Sequence, residues 1–334
     1  MRPVLAPTAP AQLEPVPEPS FSVVVAAYNV AGFVAEAVAS ALGQTRPPRE
    51  VIVCDDGSED DLESALELFR KRIVLLRKEN GGEGSAKNAG ARAASGDFVA
   101  ILDADDVYLP ERLAALAELA SARPDLDVLT TDAILEVDGE PVRRCYTTDL
   151  PFEVDDQRSA ILRRNFVFGL AAVRRERFLA AGGFDESLRY ATDWDLWARL
   201  ILDGSRVGAV PEPLARYRLR AGSLSGRRPE LIAGRVRVLE KAALHPSLSA
   251  AERGTVTESI ALERRRLALA KARAALAGEL PHPRRRSLAV AVGGGHSLRT
   301  RVKALASAIA PRSAGRRLAS SGRETTGGIR LPGP

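Results

Sequence analysis

Cysteine is nearly absent from this chain of 334 residues: only Cys54 and Cys145 occur, which excludes a disulfide scaffold and points to a reducing cytosol. No apolar run approaches the ~18 residues that a membrane helix needs. The first residues lack the charged-then-apolar pattern of a secretion signal, so a cytoplasmic protein is expected. Phosphate-binding glycines are missing as well. The turn after the first apolar run is Ala26-Ala27-Tyr28-Asn29, whereas dinucleotide folds and sugar-1-phosphate nucleotidyltransferases need a Gly-rich loop there, and no GxxxxGK[ST] motif exists. Acid is scarce at one end only: from Pro281 onward, eleven Arg and Lys face a single acid, Glu324. The basic part lacks the interleaved aromatics of single-strand binders, which argues against nucleic acid as a partner.

The 45% hydrophobic and 27% charged content is that of a globular protein, and the length allows one large domain or two modest ones. Phe21 to Ala27 reads as a buried parallel strand, and a helix runs through Phe33, Val34, Ala37, Val38, Ala41 and Leu42 until Pro47 and Pro48. Val51 to Cys54 is a second strand, ending at Asp55-Asp56-Gly57-Ser58. Ser58 and Asp61 approximate a capping box for a helix with Leu62, Ala65, Leu66 and Phe69 inward. Ile73 to Leu76 is a third strand, Ser85 to Ala94 a third helix, and Phe98 to Leu102 a fourth strand. Four strand–helix alternations with short, continuously apolar strands predict an α/β fold with a doubly wound sheet.

The second half is less regular. Strands are predicted at 128–131, 133–137, 168–173 and 207–210, and a turn at Asp138-Gly139. Helices are predicted at 155–164, 175–181, 194–202, 229–244 and 250–278. The resulting division is a Pro-rich disordered leader over 1–19, an α/β domain over 20–226, a helical extension over 227–280 and a basic, largely flexible tail over 281–334.

The densest chemistry lies in Asp103-Ala104-Asp105-Asp106, at the carboxyl end of the fourth strand, where open parallel sheets bind ligands. Asp103 and Asp105 are suited to share a hard divalent cation with substrate phosphates. A solvated acidic turn is the plainer alternative. Tyr28-Asn29 and Asp55-Asp56 end two other strands at the same edge: a Tyr face can stack on a nucleobase and a carboxylate can accept a base N–H. Their plain alternatives are a helix cap at Asn29 and a turn at Asp56-Gly57.

An ordered series of seven segments over about residues 21–225 resembles the inverting family 2 glycosyltransferases of the GT-A fold. They are Ser22 to Asn29, Gln44-Thr45, Asp55 to Ser58, Asn80-Gly81-Gly82 with Lys87 to Gly90, Asp103 to Asp106 with Pro110, Gly182 to Asp185, and Thr192 to Trp197. The resemblance implies a GT-A fold, Rossmann-like with a helical extension. It implies a nucleotide-sugar site built from Ala27, Tyr28, Asn29, Asp56, Lys87, Asp103 and Ala104. It makes Asp105, with Asp103, the ligand of Mg²⁺ or Mn²⁺, and Asp193 the catalytic base. Inversion by direct displacement needs such a carboxylate at the acceptor hydroxyl. Read alone, Asp193 is equally an N-cap, and Trp194 and Trp197 are core. Three positions depart from the family: Thr192 where Glu is frequent, Lys87 in place of Arg, and Arg220 where His is common. Arg220 either contacts the diphosphate or sits in a solvated loop.

The expected partners are a UDP-, GDP- or dTDP-sugar and a saccharide or lipid-linked acceptor of surface polysaccharide synthesis. A silent nucleotide-sugar-binding or scaffold module and a nucleotidyltransferase are the competing readings. Leu298, Val302, Leu305 and Ile309 recur at helical spacing among Arg299, Arg301 and Lys303, which suits peripheral contact with an anionic membrane; a soluble basic tail is the alternative.

Overall fold

A computed structural model describes residues 18–219, 228–311 and 314. Arg220, most of the predicted leader and the end of the tail lie outside them.

The first half follows the predicted alternation: β1 (Phe21–Ala27), α1 (Ala31–Leu42), β2 (Glu50–Asp55), α2 (Leu62–Ala65), β3 (Val74–Arg77), α3 (Glu83–Ala93) and β4 (Phe98–Asp103). These strands pair in parallel in the order β3-β2-β1-β4. Both faces are covered, which explains their unbroken apolar sequences. Val23, Val25, Val51, Val53 and Leu102 pack with Val34, Ala37, Val38 and Ala41 of α1. Val24, Ile52, Val99 and Ile101 point the other way, onto Ala91 of α3.

Next come β5 (Val107–Tyr108), α4 (Arg112–Ala122), β6 (Val128–Val137), β7 (Glu140–Arg144), α5 (Gln157–Ile161) and β8 (Ala172–Arg174). They are followed by α6 (Arg175–Ala180), α7 (Thr192–Leu202) and β9 (Val207–Leu219). β8 runs antiparallel between β4 and β6, so the described nine-stranded sheet is mixed, continuing as β8-β6-β9-β5 with β7 beside β6. Helices α8 (Arg228–Ala242), α9 (Ala250–Leu276), α10 (Pro283–Val292) and α11 (Leu298–Ile309) complete the described chain. Both cysteines are free thiols.

Several boundaries move for physical reasons. α2 is a single turn followed by a 3-10 turn at Glu67–Phe69, and its cap is Asp61, whose side chain accepts from Ser64 N, not Ser58. The expected break in β6 vanishes because Asp132, fully buried, is satisfied by Ala133 N at 2.7 Å, Tyr146 N at 2.9 Å and Arg144 at 2.5 Å. β9 continues through Pro211 and Pro213 by shifting register against β6 at Asp132, where a missing N–H is tolerated. The tail was expected to be largely flexible; its residues 283–309 instead hold two helices. α11 lies where the helical spacing of Leu298, Val302, Leu305 and Ile309 was read; α10, which joins α9 and α11 in a cluster of Ala272, Val290, Ala291 and Ala304, rests on small side chains that carry little hydropathy signal.

Gly90 sets the spacing between α3 and the sheet, since a Cβ there would lie 2.4 Å from Val24 Cγ1. In an α-helix Ala is favoured over Gly by ~1 kcal/mol, but inserting a methyl into a packed core costs ~1–3 kcal/mol. Gly90→Ala should therefore lower stability by about 1 kcal/mol in urea unfolding. Adding Val24→Ala should recover part of its cavity cost, a non-additivity that a double-mutant cycle will read.

Candidate active site

β4 ends at Asp103, as expected for Asp in a strand. Its carboxylate is 2.6 Å from Lys87 Nζ, and Lys87 also pairs with Glu83 one helical turn earlier. Lys87 is buried, with the Phe184 ring 5.5 Å away. Burial opposes its charge, yet Asp103 and Glu83 prevail and raise its pKa above the usual lysine range. Burial raises Asp103 in turn, Glu83 and Asp105 adding to it and Lys87 opposing. Ala104 is buried and Asp105 half-buried. Asp106 is buried: one oxygen accepts from Arg218 N at 2.8 Å, and the other has no hydrogen-bond partner among the described residues. Burial, with Asp103 and Asp105 beside it, raises its pKa well above the carboxylate range.

The two neighbouring strand ends are tied together. Asn29 takes a left-handed φ of 52°. Its N–H donates to Ser58 Oγ at 3.1 Å, and its Oδ1 accepts from Glu59 N at 2.8 Å. It does not cap α1, whose first N–H is taken by Asp60 at 2.7 Å. Ala27 is buried and Tyr28 is 45% exposed, its ring presented to solvent beside this turn. Asp56 is buried; one oxygen accepts from Lys78 Nζ at 2.8 Å and Gly81 N at 3.0 Å, the other from Gly82 N at 2.7 Å. A carboxylate offers about four acceptor positions. Asp56 thus holds the glycine loop and keeps room for about one further donor.

Asp193 lies in the first turn of α7 and is not its cap: that position is Ala191, at φ 58°. The carboxylate of Asp193 accepts from Asn165 Nδ2 at 2.8 Å. Burial raises its pKa; Glu83 adds to that, while the Trp194 N–H, Lys87 and Asn165 pull it down. Glu83 and Lys87 influence both Asp103 and Asp193, so the two acids lie within electrostatic reach of the same ion pair. Sequence reading missed Glu83, Lys78 and Asn165; the first two flank recognised segments, whereas nothing near Asn165 signals its role.

Other motif residues build the frame. Asn88 clasps the Gly182-Gly183-Phe184 turn, donating to Phe184 O at 2.9 Å and accepting from Phe184 N at 2.8 Å. A Cβ on Gly183, at φ 71°, would sit 2.3 Å from Asn88 Oδ1. Lys241 of α8 bridges Asp185 at 2.6 Å and Asp195 at 2.8 Å. Trp194 and Trp197 are core, Trp194 Nε1 donating to Ile161 O at 2.8 Å.

This chain matches the profile of glycosyl transferase family 2 over residues 22–179. It is 34% identical over 230 residues to the succinoglycan biosynthesis protein ExoO of Rhizobium meliloti, a match that covers 65% of each chain. Residues 22–179 are therefore similar to glycosyltransferase family 2. The match nonetheless spans less than two thirds of ExoO's own length. The fold of this chain is also that of two solved complexes. S. aureus TarS 1-349 with UDP-GlcNAc has a TM-score of 0.59 and 21% identity, covering 91% of this chain and 92% of that one. The mannosyltransferase PcManGT from Pyrobaculum calidifontis, with GDP-Man and Mn²⁺, has a TM-score of 0.58 and 23% identity, covering 92% of this chain and 85% of its own.

Removing Lys87 leaves two carboxylates without their counter-charge. Breaking a fully buried pair costs ~3–5 kcal/mol; Glu83 and Asp103 keep side-chain exposures of 35% and 28%, so Lys87→Met should cost about 2 kcal/mol. Urea unfolding at neutral pH will measure it, and the deficit should shrink in acid as the carboxylates protonate.

Proposed function

We propose that the protein transfers a sugar from a nucleoside diphosphate donor to an acceptor hydroxyl with inversion of the anomeric centre. The observation that supports this most directly is the end of β4, where Asp103 is held 2.6 Å from Lys87 Nζ with Asp105 beside it. On this reading Tyr28 stacks on the base, Asp56 uses its remaining acceptor position for a base N–H, and Asp103 and Asp105 lie beside the diphosphate.

The acids fit a divalent cation shared with substrate. Among the described residues no group of three or more His, Cys, Asp or Glu side chains is clustered to hold a metal alone. Mg²⁺ and Mn²⁺ sites of the phosphate-bridging kind need only one or two carboxylates. Glu83, Asp103 and Asp105 outnumber Lys87, so a diphosphate entering here brings repulsion that a cation relieves. Asp105, with Asp103, would hold Mg²⁺ or Mn²⁺, which when bound neutralises charge on the leaving diphosphate. Asp193 accepts the proton of the acceptor hydroxyl while Asn165 holds its carboxylate in place. The acceptor we propose is a growing surface polysaccharide or a lipid-linked saccharide, by analogy with ExoO, a succinoglycan biosynthesis protein.

Thermal unfolding with UDP-, GDP- and dTDP-sugars, with and without Mn²⁺, tests the donor site. One nucleotide class should raise the Tm in a metal-dependent way, and Asp105→Asn should lose that rise. Asp193→Asn should keep the rise while turnover falls about 10²- to 10⁴-fold. The product should be a nucleoside diphosphate; pyrophosphate would instead mark a nucleotidyltransferase. Because burial raises the pKa of Asp193 and its ionised form is the base, kcat/KM should fall with decreasing pH above the ordinary carboxylate range near about 3.9. Asn165→Ala removes a donor to that ionised form and should move the fall to still higher pH.

A further inference from the structure

We propose that α10 and α11 form a docking face for an anionic lipid surface, separate from the transfer site. Residues 283–309 carry Arg284, Arg285, Arg286, Arg299, Arg301 and Lys303, and no Asp or Glu. On α11 four large apolar side chains are open to solvent: Leu298 at 77%, Val302 at 58%, Leu305 at 47% and Ile309 at 72%. At 3.6 residues per turn they fall within an arc of about 60°, with Arg299 and Arg301 on either side of it. Ala304, the contact of α11 with its neighbours, projects away from this stripe. Ile309 and the cations Arg284 and Arg285 line one recess of about 850 Å³, so charge and apolar surface are contiguous.

No other occupant suits both features. A second copy docked face to face would set six cations against six. A nucleic acid would pair with the cations but leave Leu298, Val302, Leu305 and Ile309 without apolar partners, and residues 283–309 contain no Phe, Tyr or Trp to stack on bases. Anionic headgroups meet the cations while the stripe enters the acyl boundary, the mode of interfacial amphipathic helices. Among the described residues no helix is long and apolar enough to cross a membrane, so this contact lies along the surface. α9 is the spacer. Val256 packs in the transferase core and Ala272 against α10 and α11, 16 residues and about 24 Å further along the helix.

The test is sedimentation of the full chain with vesicles of phosphatidylcholine alone and of an equal mixture with phosphatidylglycerol. The mixed vesicles should bind it, weakly at high salt, and phosphatidylcholine alone should not. Arg299→Gln with Lys303→Gln should weaken binding about 25-fold, at about fivefold per cation. Leu298→Gln with Leu305→Gln should abolish binding. Far-UV circular dichroism and the donor-induced Tm rise should be unchanged in both variants, which separates lost docking from lost folding or a failed donor site. Equal binding to both vesicle types, binding to neither, or variants that bind like the parent chain would overturn the proposal. So would a concentration-dependent dimer without vesicles that the leucine variant loses.

Discussion

A lysine enclosed by two carboxylates governs the acidic end of β4. Lys87 gives up its hydration inside α3, and only ion pairs of good geometry offset that penalty. It finds Asp103 at 2.6 Å and Glu83 on its own helix. The position of Asp103 therefore depends on where α3 lies, and α3 lies close to the sheet because Gly90 has no side chain. The same helix carries Asn88, which fixes the turn leading toward α7 and Asp193. One helix thus links the acids of β4 to the turn that leads to Asp193 on α7.

Motif residues divide accordingly into those that face the site and those that hold it. Asp56 is tethered to the glycine loop by Lys78, Gly81 and Gly82, so this acid aligns two loops before any ligand arrives. Asp185 and Asp195 are bound to Lys241, which docks the helical extension onto the transferase domain. Asp106 is buried with one oxygen unpaired among the described residues, and burial raises its pKa well above the usual carboxylate range. Equal letters in the sequence have unequal chemistry because burial and partners differ.

The parallel half of the fold was legible from residues alone. Short strands covered on both faces must be continuously apolar, and Val23 to Val25, Val51 to Val53 and Val99 to Leu102 are. Acids then mark where such strands stop. The mixed half was harder to read. Asp132 looks like a strand breaker until its partners are known, and β9 passes two prolines by shifting register. α10 was missed because alanine contacts with α9 leave little hydropathy signal. Motif order singled out Asp103, Asp105 and Asp193 as the proposed site. It did not single out Asn165, since an isolated asparagine carries no sign of the carboxylate that it meets 28 residues on.

The central claim is that Asp193 acts as a base for direct displacement at a donor held beside Asp103. The anomeric configuration of the first product, read by proton NMR before any equilibration, tests it most directly. From an α-linked nucleotide sugar the account predicts a β-glycoside, with its large anomeric coupling where the sugar has an equatorial 2-substituent. An α-glycoside would contradict it, because retention requires a mechanism in which Asp193 is not the base of a single displacement.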